Sequence, residues 1–539
     1  MQQLELAPTP ISVLQRNMAS TLVPVMPVMD PAVDVPSHRT WNDQSPIHRL
    51  PSEIFTLIFL YAQYAVFPGE KGHMALALSW VCHYWRVVAL SSQDLWGIID
   101  FMDLDLVREF LARSGVSILS FYLGAPPGSL DLIVPLILAN LPRVQVLQLE
   151  RTDHNSRFLQ IDENWAHSTP HMIELSLSKF LIPERHFNTT APGLRYLKLE
   201  ACSFKVTGLR GLNLVELSLV NPKEANTPEE MLAELQNVPE LEKLVLEGVL
   251  LEGIAPLSER IHFPRLRHLN LGGLACHTLL CFLNNISFPK DTDITINVRS
   301  TTTMSSVITG LQNCMGGDQW KLLKAVVCCD QLLGSISCQM TRLVHSGDLK
   351  STNSSITFAW ERSENIPGAQ EVNRLLTSFD ISLLLHLELS TYDDTPLPID
   401  IWDGLFASAF GLQDLMLYGP YAGSFIKAFT LSNDPLVNIG DLTNPTALIP
   451  VQFQSLKFPL LKTLKLQRVT DQWSEGAGLW PEDPAVFATL MQYRKVLGMN
   501  LSEMIAVGYD LPLAFFQSMD QCVDSFRYYR EWSRSVEHN

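Results

Sequence analysis

Cysteine, histidine and paired carboxylates are the side chains of this sequence that could do chemistry. Cys276 and His277, followed by Cys281, are residue types that bind zinc, but the local sequence supplies no fourth ligand. The adjacent carboxylates Asp393–Asp394 and Glu229–Glu230 point to opposite faces if they lie on strands, which does not suit acid and base acting on one substrate. We therefore predict ordinary packing and solvated charges at these positions.

Sequence motifs of catalysis are absent as well. The chain contains no Gly-x-x-x-x-Gly-Lys-[Ser/Thr] phosphate loop, Gly-x-Gly-x-x-Gly turn, Gly-x-Ser-x-Gly elbow or His-Glu-x-x-His zinc motif. No two of the 9 cysteines have Cys-x-x-Cys spacing, so we predict reduced, mostly buried thiols. These observations predict a protein that is not an enzyme, with no cofactor and no metal site.

Composition and charge set the class of protein and of partner. Of 539 residues, 47% are hydrophobic and 18% charged, enough apolar surface to offset the entropy of ordering a chain. The net charge of −17 disfavours nucleic acid and anionic membranes as partners. The first residues lack a basic region followed by an apolar stretch, so we expect no secretory signal and a cytoplasmic or nuclear location.

Small helices are predicted near the N-terminus, after a flexible proline-rich arm over residues 1–44. Ser52 is the predicted N-cap of a first amphipathic helix, whose apolar positions are Leu50, Ile54, Leu57, Ile58, Tyr61 and Ala65. A second helix is predicted over about 74–90, and a third near Gln93 or Asp94. A unit of this size has a very small core and usually needs a neighbour or partner.

A short phrase with the pattern apolar-x-x-Leu-x-Leu recurs from about residue 140. The first six central leucines lie 20 to 28 residues apart, within the roughly 20 to 29 residue period of leucine-rich repeats. Each phrase is predicted to be a strand whose leucines point into a core that several stacked units share. The central leucines of the clear phrases are Leu147, Leu175, Leu197, Leu217, Leu244 and Leu269, then Leu387, Leu415 and Leu464.

The positions beside these leucines should face away from the core, and they are the candidate substrate-binding residues. We name Glu174, Ser176, Tyr196, Lys198, Glu216, Lys243, His268 and Asn270. The phrase fades over about 275–375, which we interpret as degenerate repeats with insertions. The residues after 480 look helical and are predicted to cap the stack.

The N-terminal motifs resemble an F-box. The segment LPSEIFTLIF from Leu50, then VCHYWRVVAL from Val81, then Leu95-Trp96, match in order the family pattern of Leu-Pro-x-Glu, Val-Cys-x-x-Trp and Leu-Trp. The whole chain resembles the F-box proteins abundant in mushroom-forming fungi. The resemblance implies an α/β protein: a three-helix F-box over 45–100, an irregular leucine-rich-repeat-like solenoid over 101–480 and a helical C-terminal cap over 481–539.

What the resemblance implies for function is the non-catalytic substrate-recognition subunit of a SKP-cullin-F-box ubiquitin ligase. The F-box would dock on a SKP-family adaptor, and through it on cullin and a RING protein, while the repeats bind a protein substrate. By match to the motif, the adaptor contacts are Leu50, Pro51, Ile54, Ile58, Val81, Trp85, Leu95 and Trp96. The alternative is a repeat scaffold whose F-box acts independently of cullin.

Overall fold

The chain is a mixed α/β protein with a largely parallel sheet and surrounding helices. The computed structural model describes residues 45–125, 129–151, 159–160, 169–182, 191–203, 209, 212–223, 228–249, 260–274, 276–298, 304–314, 322–330, 335–344, 352–361, 376, 379, 381–391, 397–431, 458–467, 484–509 and 513–529. The predicted arm over 1–44 lies outside these residues. The chain divides into two units, described separately below.

The N-terminal unit is built from helices and short 3-10 turns. Its described residues lie before 102 and between 105 and 117. The helices are α1 (Ser52–Ala65), α2 (Lys71–Trp80), α3 (His83–Ser91) and α4 (Leu104–Arg113), with 3-10 turns at Pro46–Arg49, Pro68–Glu70 and Gln93–Trp96 and a two-residue strand, β1 (Ile98–Ile99).

Helix α4 belongs to this unit although the sequence placed the domain boundary at residue 100. The ring of Phe110 in α4 lies 4.9 Å from that of Trp96 and 4.6 Å from that of Phe101, and Phe110 and Trp96 are fully buried. The small core therefore needs α4 in addition to the motif helices, because apolar burial is what stabilises a unit of this size.

The helix predicted over 74–90 is two helices, and this prediction is wrong. Helix α2 ends at Trp80 and α3 begins at His83, because Cys82 is extended, with a φ of −158°. The Cys82 sulfur accepts the N–H of Trp85 and so caps α3. The predicted N-cap of α1 is also wrong: Pro51 is the capping position, and Ser52 is the first helical residue, without a side-chain cap.

Helix α1 has two apolar faces. Phe55, Phe59 and Gln63 are fully buried and lie one turn apart along one face. The rings of Phe55 and Phe59 pack 5.7 and 5.1 Å from the ring of Trp85. Gln63 donates to the carbonyl oxygens of Lys71 and Leu95, each at 3.0 Å, which ties α1 to α2 and to the turn that follows α3.

The C-terminal unit contains the other helices and strands. The helices are α5 (Ser129–Ala139), α6 (Pro228–Leu235), α7 (Cys276–Asn284), α8 (Met304–Cys314), α9 (Ile399–Ser408), α10 (Pro420–Leu431), α11 (Pro484–Val496) and α12 (Leu513–Cys522), with a 3-10 turn at Leu141–Arg143. The strands are β2 (Leu119–Ala125), β3 (Val144–Arg151), β4 (Leu159–Gln160), β5 (Glu174–Ser178), β6 (Phe180–Leu181), β7 (Tyr196–Glu200), β8 (Glu216–Val220), β9 (Lys243–Glu247), β10 (Ile261–His262), β11 (His268–Leu274), β12 (Ile286–Ser287), β13 (Asp293–Val298), β14 (Leu322–Asp330), β15 (Ser335–Val344), β16 (Thr352–Glu361), β17 (His386–Thr391), β18 (Asp414–Tyr418), β19 (Thr463–Gln467), β20 (Glu503–Val507) and β21 (Phe526–Tyr529).

Parallel pairing joins the strands that carry the leucine phrase. In the sheet, β2, β3, β5, β7, β8, β9, β11 and β13 are consecutive neighbours, as are β17, β18, β19, β20 and β21. The prediction that each phrase is a strand is confirmed. Short pairs β4–β6 and β10–β12 lie outside this sheet.

The leucines of the phrases form the core of the C-terminal unit. Pairing in register aligns them in continuous rows, one with Leu147, Leu175, Leu197, Leu217, Leu244, Leu269 and Ile294 and the next with Leu149, Leu177, Leu199, Leu219, Leu246, Leu271 and Ile296. Every member of both rows is at most 2% exposed. The prediction that these leucines point inward is therefore confirmed, and their burial is the main stabilising contribution in this unit.

A left-handed residue follows several of these strands. The φ values are 66° at Lys179, 48° at Ala201 and Asn221, and 62° at Gly248, directly after β5, β7, β8 and β9. Each N–H donates to a carbonyl of the next strand, at 2.8 Å for Lys179 to Glu200 and 2.7 Å for Ala201 to Val220. The left-handed residue thus adds one hydrogen bond to the pairing of the two strands, and the chain leaves the sheet after it.

Two segments differ from the sequence expectation. In the middle, β13 pairs with β16 and β14 with β17, both in parallel, while β15 lies between β14 and β16 and runs antiparallel to both. Within 275–375, β13 continues the parallel series from β11, and β15 is the strand that runs in the reverse direction. The helical cap over 481–539 is wrong in part, because β20 and β21 alternate with α11 and α12 and extend the parallel sheet.

No helix among the described residues is long and apolar enough to cross a membrane.

Candidate interaction surfaces

The N-terminal unit exposes a large apolar surface. On α1, Ile54, Leu57, Ile58 and Tyr61 are 42, 51, 37 and 76% exposed, and they lie on the face opposite the buried phenylalanines. We call the exposed apolar side chains of this region the docking surface; they are Ile47, Ile54, Leu57, Ile58, Tyr61, Tyr64, Phe67, Trp80, Val81, Val87 and Leu90. Apolar side chains exposed together on one helix face, as on α1, mark a candidate interaction site.

The residues predicted to contact an adaptor divide between surface and core. Pro51, Ile54, Ile58 and Val81 are exposed, and Leu50 and Trp85 are half-buried. Leu95 and Trp96 are fully buried, so their assignment as surface contacts is corrected. Trp96 donates its indole N–H to the carbonyl of Ala89 at 2.8 Å, and the guanidinium of Arg113 lies 4.3 Å from its ring centroid.

Sequence reasoning missed part of the docking surface. Tyr64, Phe67 and Trp80 are 64, 79 and 70% exposed, and none was a candidate contact. Tyr61 and Tyr64 follow Ile54, Leu57 and Ile58 at helical spacing, which places these side chains on one face of α1. The periodicity does not tell that this face is exposed and that the face with Phe55 and Phe59 is buried.

A cysteine and a histidine lie together beside this surface. The Sγ atom of Cys82 is 3.6 Å from Nε2 of His48 and 3.5 Å from the backbone nitrogen of Trp85. The ring of His48 packs against Tyr84 and Phe55, with centroids 5.1 and 6.2 Å away. Its other nitrogen, Nδ1, is buried without a hydrogen-bond partner among the described residues.

The predicted substrate-binding residues share one face of the sheet. Register places Glu174, Tyr196, Glu216, Lys243 and His268 in one row across five strands. A second row contains Ser176, Lys198, Ser218, Val245 and Asn270. These rows alternate with the buried leucine rows along every strand, so they line the opposite face of the sheet.

Charged and polar side chains on this face pair across neighbouring strands. Lys243 Nζ lies 2.7 Å from Glu216 Oε1, and Asn270 donates to Glu247 Oε1 at 2.7 Å. His268 Nδ1 is 3.6 Å from Asp293 Oδ2, and Gln148 donates to Glu174. Tyr196 and Lys198 are exposed, whereas Ser218 is buried. The face is a mixed polar surface that can hydrogen-bond to a polypeptide.

Three buried thiols of the C-terminal unit have raised pKa values. Burial raises the pKa of Cys202 to about 11 and that of Cys314 to about 12, and burial also raises the pKa of Cys522. These thiols stay protonated at neutral pH. Among the described residues, no group of three His, Cys, Asp or Glu side chains is placed to hold a metal ion.

Comparison with known proteins finds a weak structural likeness. No protein-family model matches the sequence, and no curated protein matches it. Among solved structures, InlP of Listeria monocytogenes is similar over 50% of this chain and 90% of its own, with 14% identity and a TM-score of 0.21. A likeness this weak carries no weight for fold or function, so both are taken from the geometry above.

Proposed function

We propose that this protein is the substrate-recognition subunit of a SKP-cullin-F-box ubiquitin ligase. In this proposal the N-terminal unit is an F-box, and the C-terminal unit is an irregular leucine-rich-repeat-like solenoid. The observation that carries the proposal is the docking surface, in which α1 turns Ile54, Leu57 and Ile58 outward. Burying such anchors in a partner supplies most of the binding energy of an interface.

The sequence motif supports the choice of partner. Leu50, Pro51 and Val81 are landmarks of the F-box pattern; Pro51 and Val81 are exposed, and Pro51 directly precedes α1. Trp85, another landmark, is half-buried against Phe55. A SKP-family adaptor that covers this surface would join the chain to cullin and a RING protein, and so to an E2 enzyme.

The polar face of the sheet supports a binding role for the C-terminal unit. Its rows present side chains from five neighbouring parallel strands, including the exposed Tyr196 and Lys198. An array of donors, acceptors and charges on hydrogen-bonded strands suits recognition of a protein surface. In the proposed complex the chain therefore holds a substrate protein for ubiquitin transfer and performs no chemistry itself.

The direct experiment is titration of the purified full chain with a purified SKP-family adaptor by calorimetry. Ile54→Lys should weaken binding by about 2 kcal/mol, on the order of thirtyfold in Kd, because it places a charge among the apolar anchors. The matched control is Leu460→Lys, since Leu460 is 55% exposed in the C-terminal unit, and it should leave the affinity unchanged. Failure of the unaltered chain to bind the adaptor would refute the proposal.

The same complex distinguishes a ligase subunit from a scaffold that works without cullin. Addition of a cullin to the adaptor-bound chain should give a ternary complex of higher mass in light scattering. A chain that binds the adaptor but excludes cullin would be a scaffold, and the ligase role would then be wrong.

A further inference from the structure

Strand β7 presents charges of alternating sign on the polar face of the sheet. Tyr196 lies in register between Glu174 on β5 and Glu216 on β8. Lys198 and Glu200 follow on the same face, because side chains two residues apart in a strand point the same way. Along β7 the polar face is therefore negative around an aromatic ring, then positive, then negative.

The surroundings of Tyr196 suit a cationic group. Glu174 accepts a hydrogen bond from a neutral amide, that of Gln148, rather than from a cation. Glu216 is paired with Lys243 at 2.7 Å, so Glu174 is the main source of negative charge beside the ring. Tyr196 is 39% exposed, and an exposed aromatic ring next to a carboxylate attracts an ammonium or guanidinium group.

Lys198 and Glu200 carry charges that the described residues leave without an ion-pair partner. Lys198 is exposed and Glu200 is half-buried. Their in-register neighbours on β5 and β8 have short uncharged side chains, Ser176 and Ser218 beside Lys198, and Ser178 and Val220 beside Glu200. Both charges therefore stand above their neighbours, where a bound polypeptide can pair with them.

A second strand with the same leucine phrase lacks this pattern. Strand β7 has the sequence YLKLE and β19 the sequence TLKLQ, so threonine and glutamine take the places of the tyrosine and the glutamate. Gln467 of β19 is buried, and Lys465 Nζ lies 5.2 Å from the ring centroid of Tyr418. The alternating charges are therefore a property of β7 and not of the leucine phrase.

We propose that β7 binds an extended segment of a partner protein that has a basic, an acidic and a second basic residue at positions i, i+2 and i+4. An extended chain advances by about 3.3 Å per residue, as a strand does, so these side chains align with Tyr196, Lys198 and Glu200. The first basic group lies over the Tyr196 ring beside Glu174, the acidic group pairs with Lys198, and the second basic group pairs with Glu200. This inference deepens the proposed function, on which it rests for identifying the partner as the ubiquitination substrate.

The test is fluorescence anisotropy of the full chain with labelled peptides at low ionic strength, where charge pairs are least screened. The probe peptide is Gly-Ser-Lys-Thr-Glu-Thr-Lys-Ser-Gly, and a comparison peptide has lysine in place of the glutamate. The probe should bind on the order of tenfold more tightly, because Lys198 repels the central lysine of the comparison peptide. Equal affinities, tighter binding of the comparison peptide or no binding of either would overturn the proposal.

A charge reversal on β7 tests the same contact from the side of the protein. Lys198→Glu should reverse the preference, so that the comparison peptide binds more tightly than the probe. The matched control is Lys465→Glu, at the same position of the phrase on β19, and it should leave both affinities unchanged. An unreversed preference in Lys198→Glu, or an equal change in the control, would overturn the assignment to β7.

The peptide assay contains no adaptor, so it fails or succeeds independently of the adaptor titration. If the chain binds the probe but no adaptor, β7 is a binding site and the ligase role is wrong. If the chain binds the adaptor but not the probe, the inference about β7 is wrong and the ligase role is unaffected.

Discussion

Asp100 shows how a single residue organises the N-terminal unit. Both of its carboxylate oxygens accept the N–H of Gly72, at 3.1 and 3.0 Å, at the start of α2. A Cβ on residue 72 would meet the Asp100 carboxylate and the ring of Phe101, so this close approach requires glycine. Burial raises the pKa of Asp100 above its ordinary value of 3.8, against the opposing effect of the Gly72 hydrogen bond.

The raised pKa gives a pH dependence with a defined sign. Below about pH 3.8 the carboxyl is protonated in both the folded and unfolded states. As the pH rises, the unfolded state loses its proton first, so the contribution of Asp100 to stability falls until the pH passes the folded pKa. The stability of the unaltered chain minus that of Asp100→Asn should therefore decrease as the pH rises from about 3 to about 7.

Denaturant unfolding of both proteins across this pH range measures the difference. Other titrating groups cancel because both chains contain them. A difference that increases with pH would mean that the hydrogen bonds to the charged form outweigh its burial, contrary to this account.

At the scale of elements, the two faces of a strand differ in role: the leucine face is buried in the core, and the polar face carries the candidate binding residues. Leu197 is buried in the leucine row, and its neighbour Lys198 is exposed on the polar face. The leucine contributes to stability through burial and packing, whereas the lysine is free to contribute to recognition. The alternation of leucine row and polar row recurs on the neighbouring strands, although Ser218 on the polar side of β8 is buried.

Substitutions of Leu197 and Lys198 should differ in their effect on the free energy of unfolding. Leu197→Ala should lower the free energy of unfolding by about 2–5 kcal/mol, through lost burial and a residual cavity. Lys198→Ala should change it by less than about 0.5 kcal/mol, as for most surface positions. Urea unfolding followed by circular dichroism provides the measurement, and equal losses for the two variants would contradict the assignment of faces.

The left-handed turns after the strands allow a second pair of substitutions. The Cβ of Ala201 makes its left-handed backbone sterically unfavourable, so Ala201→Gly should raise the free energy of unfolding by up to about 1 kcal/mol. Gly248→Ala should destabilise the chain by about 1–3 kcal/mol, because it adds that steric strain and a clash with Asn221. Thermal unfolding should shift in opposite directions for the two variants, and shifts of the same sign would count against this turn geometry.

An element can be predicted from the sequence when its own residues carry the pattern that defines it, and it is missed when contacts with other elements decide its structure. The phrase with Leu197 and Leu199 repeats, so its strands and buried leucines follow from the sequence. The strand β20 was missed because Ala506 replaces a leucine of the phrase, and its pairing with β19 is a tertiary effect. The break at Cys82 was missed because the apolar pattern continues through it, although a capping sulfur stops the helix.

The docking surface was only partly predictable for a different reason. Motif matching selects positions but does not separate core from surface, so Trp96 was assigned to the interface although it packs on Phe110. A helix with two apolar faces, such as α1, gives no periodic signal that tells which face is inside. The structure resolves this through the contacts of Phe55 and Phe59 with Trp85.

At the scale of the whole molecule, two units with different surfaces serve two partners in the proposed complex. The N-terminal unit exposes apolar side chains, as expected of a surface that a constant partner covers. The C-terminal unit exposes a mixed polar face over a buried leucine core, as expected of a surface that binds one particular protein. The net charge of −17 opposes self-association through such apolar surface, because like-charged molecules repel each other.

Hydrogen–deuterium exchange of the full chain, with and without a SKP-family adaptor, shows where the adaptor binds. Protection should increase in α1 (Ser52–Ala65) and around Val81, with no change in strands β5 to β11, because the adaptor covers only the docking surface. Unchanged exchange in α1, or protection confined to the polar face of the sheet, would contradict this placement of the adaptor.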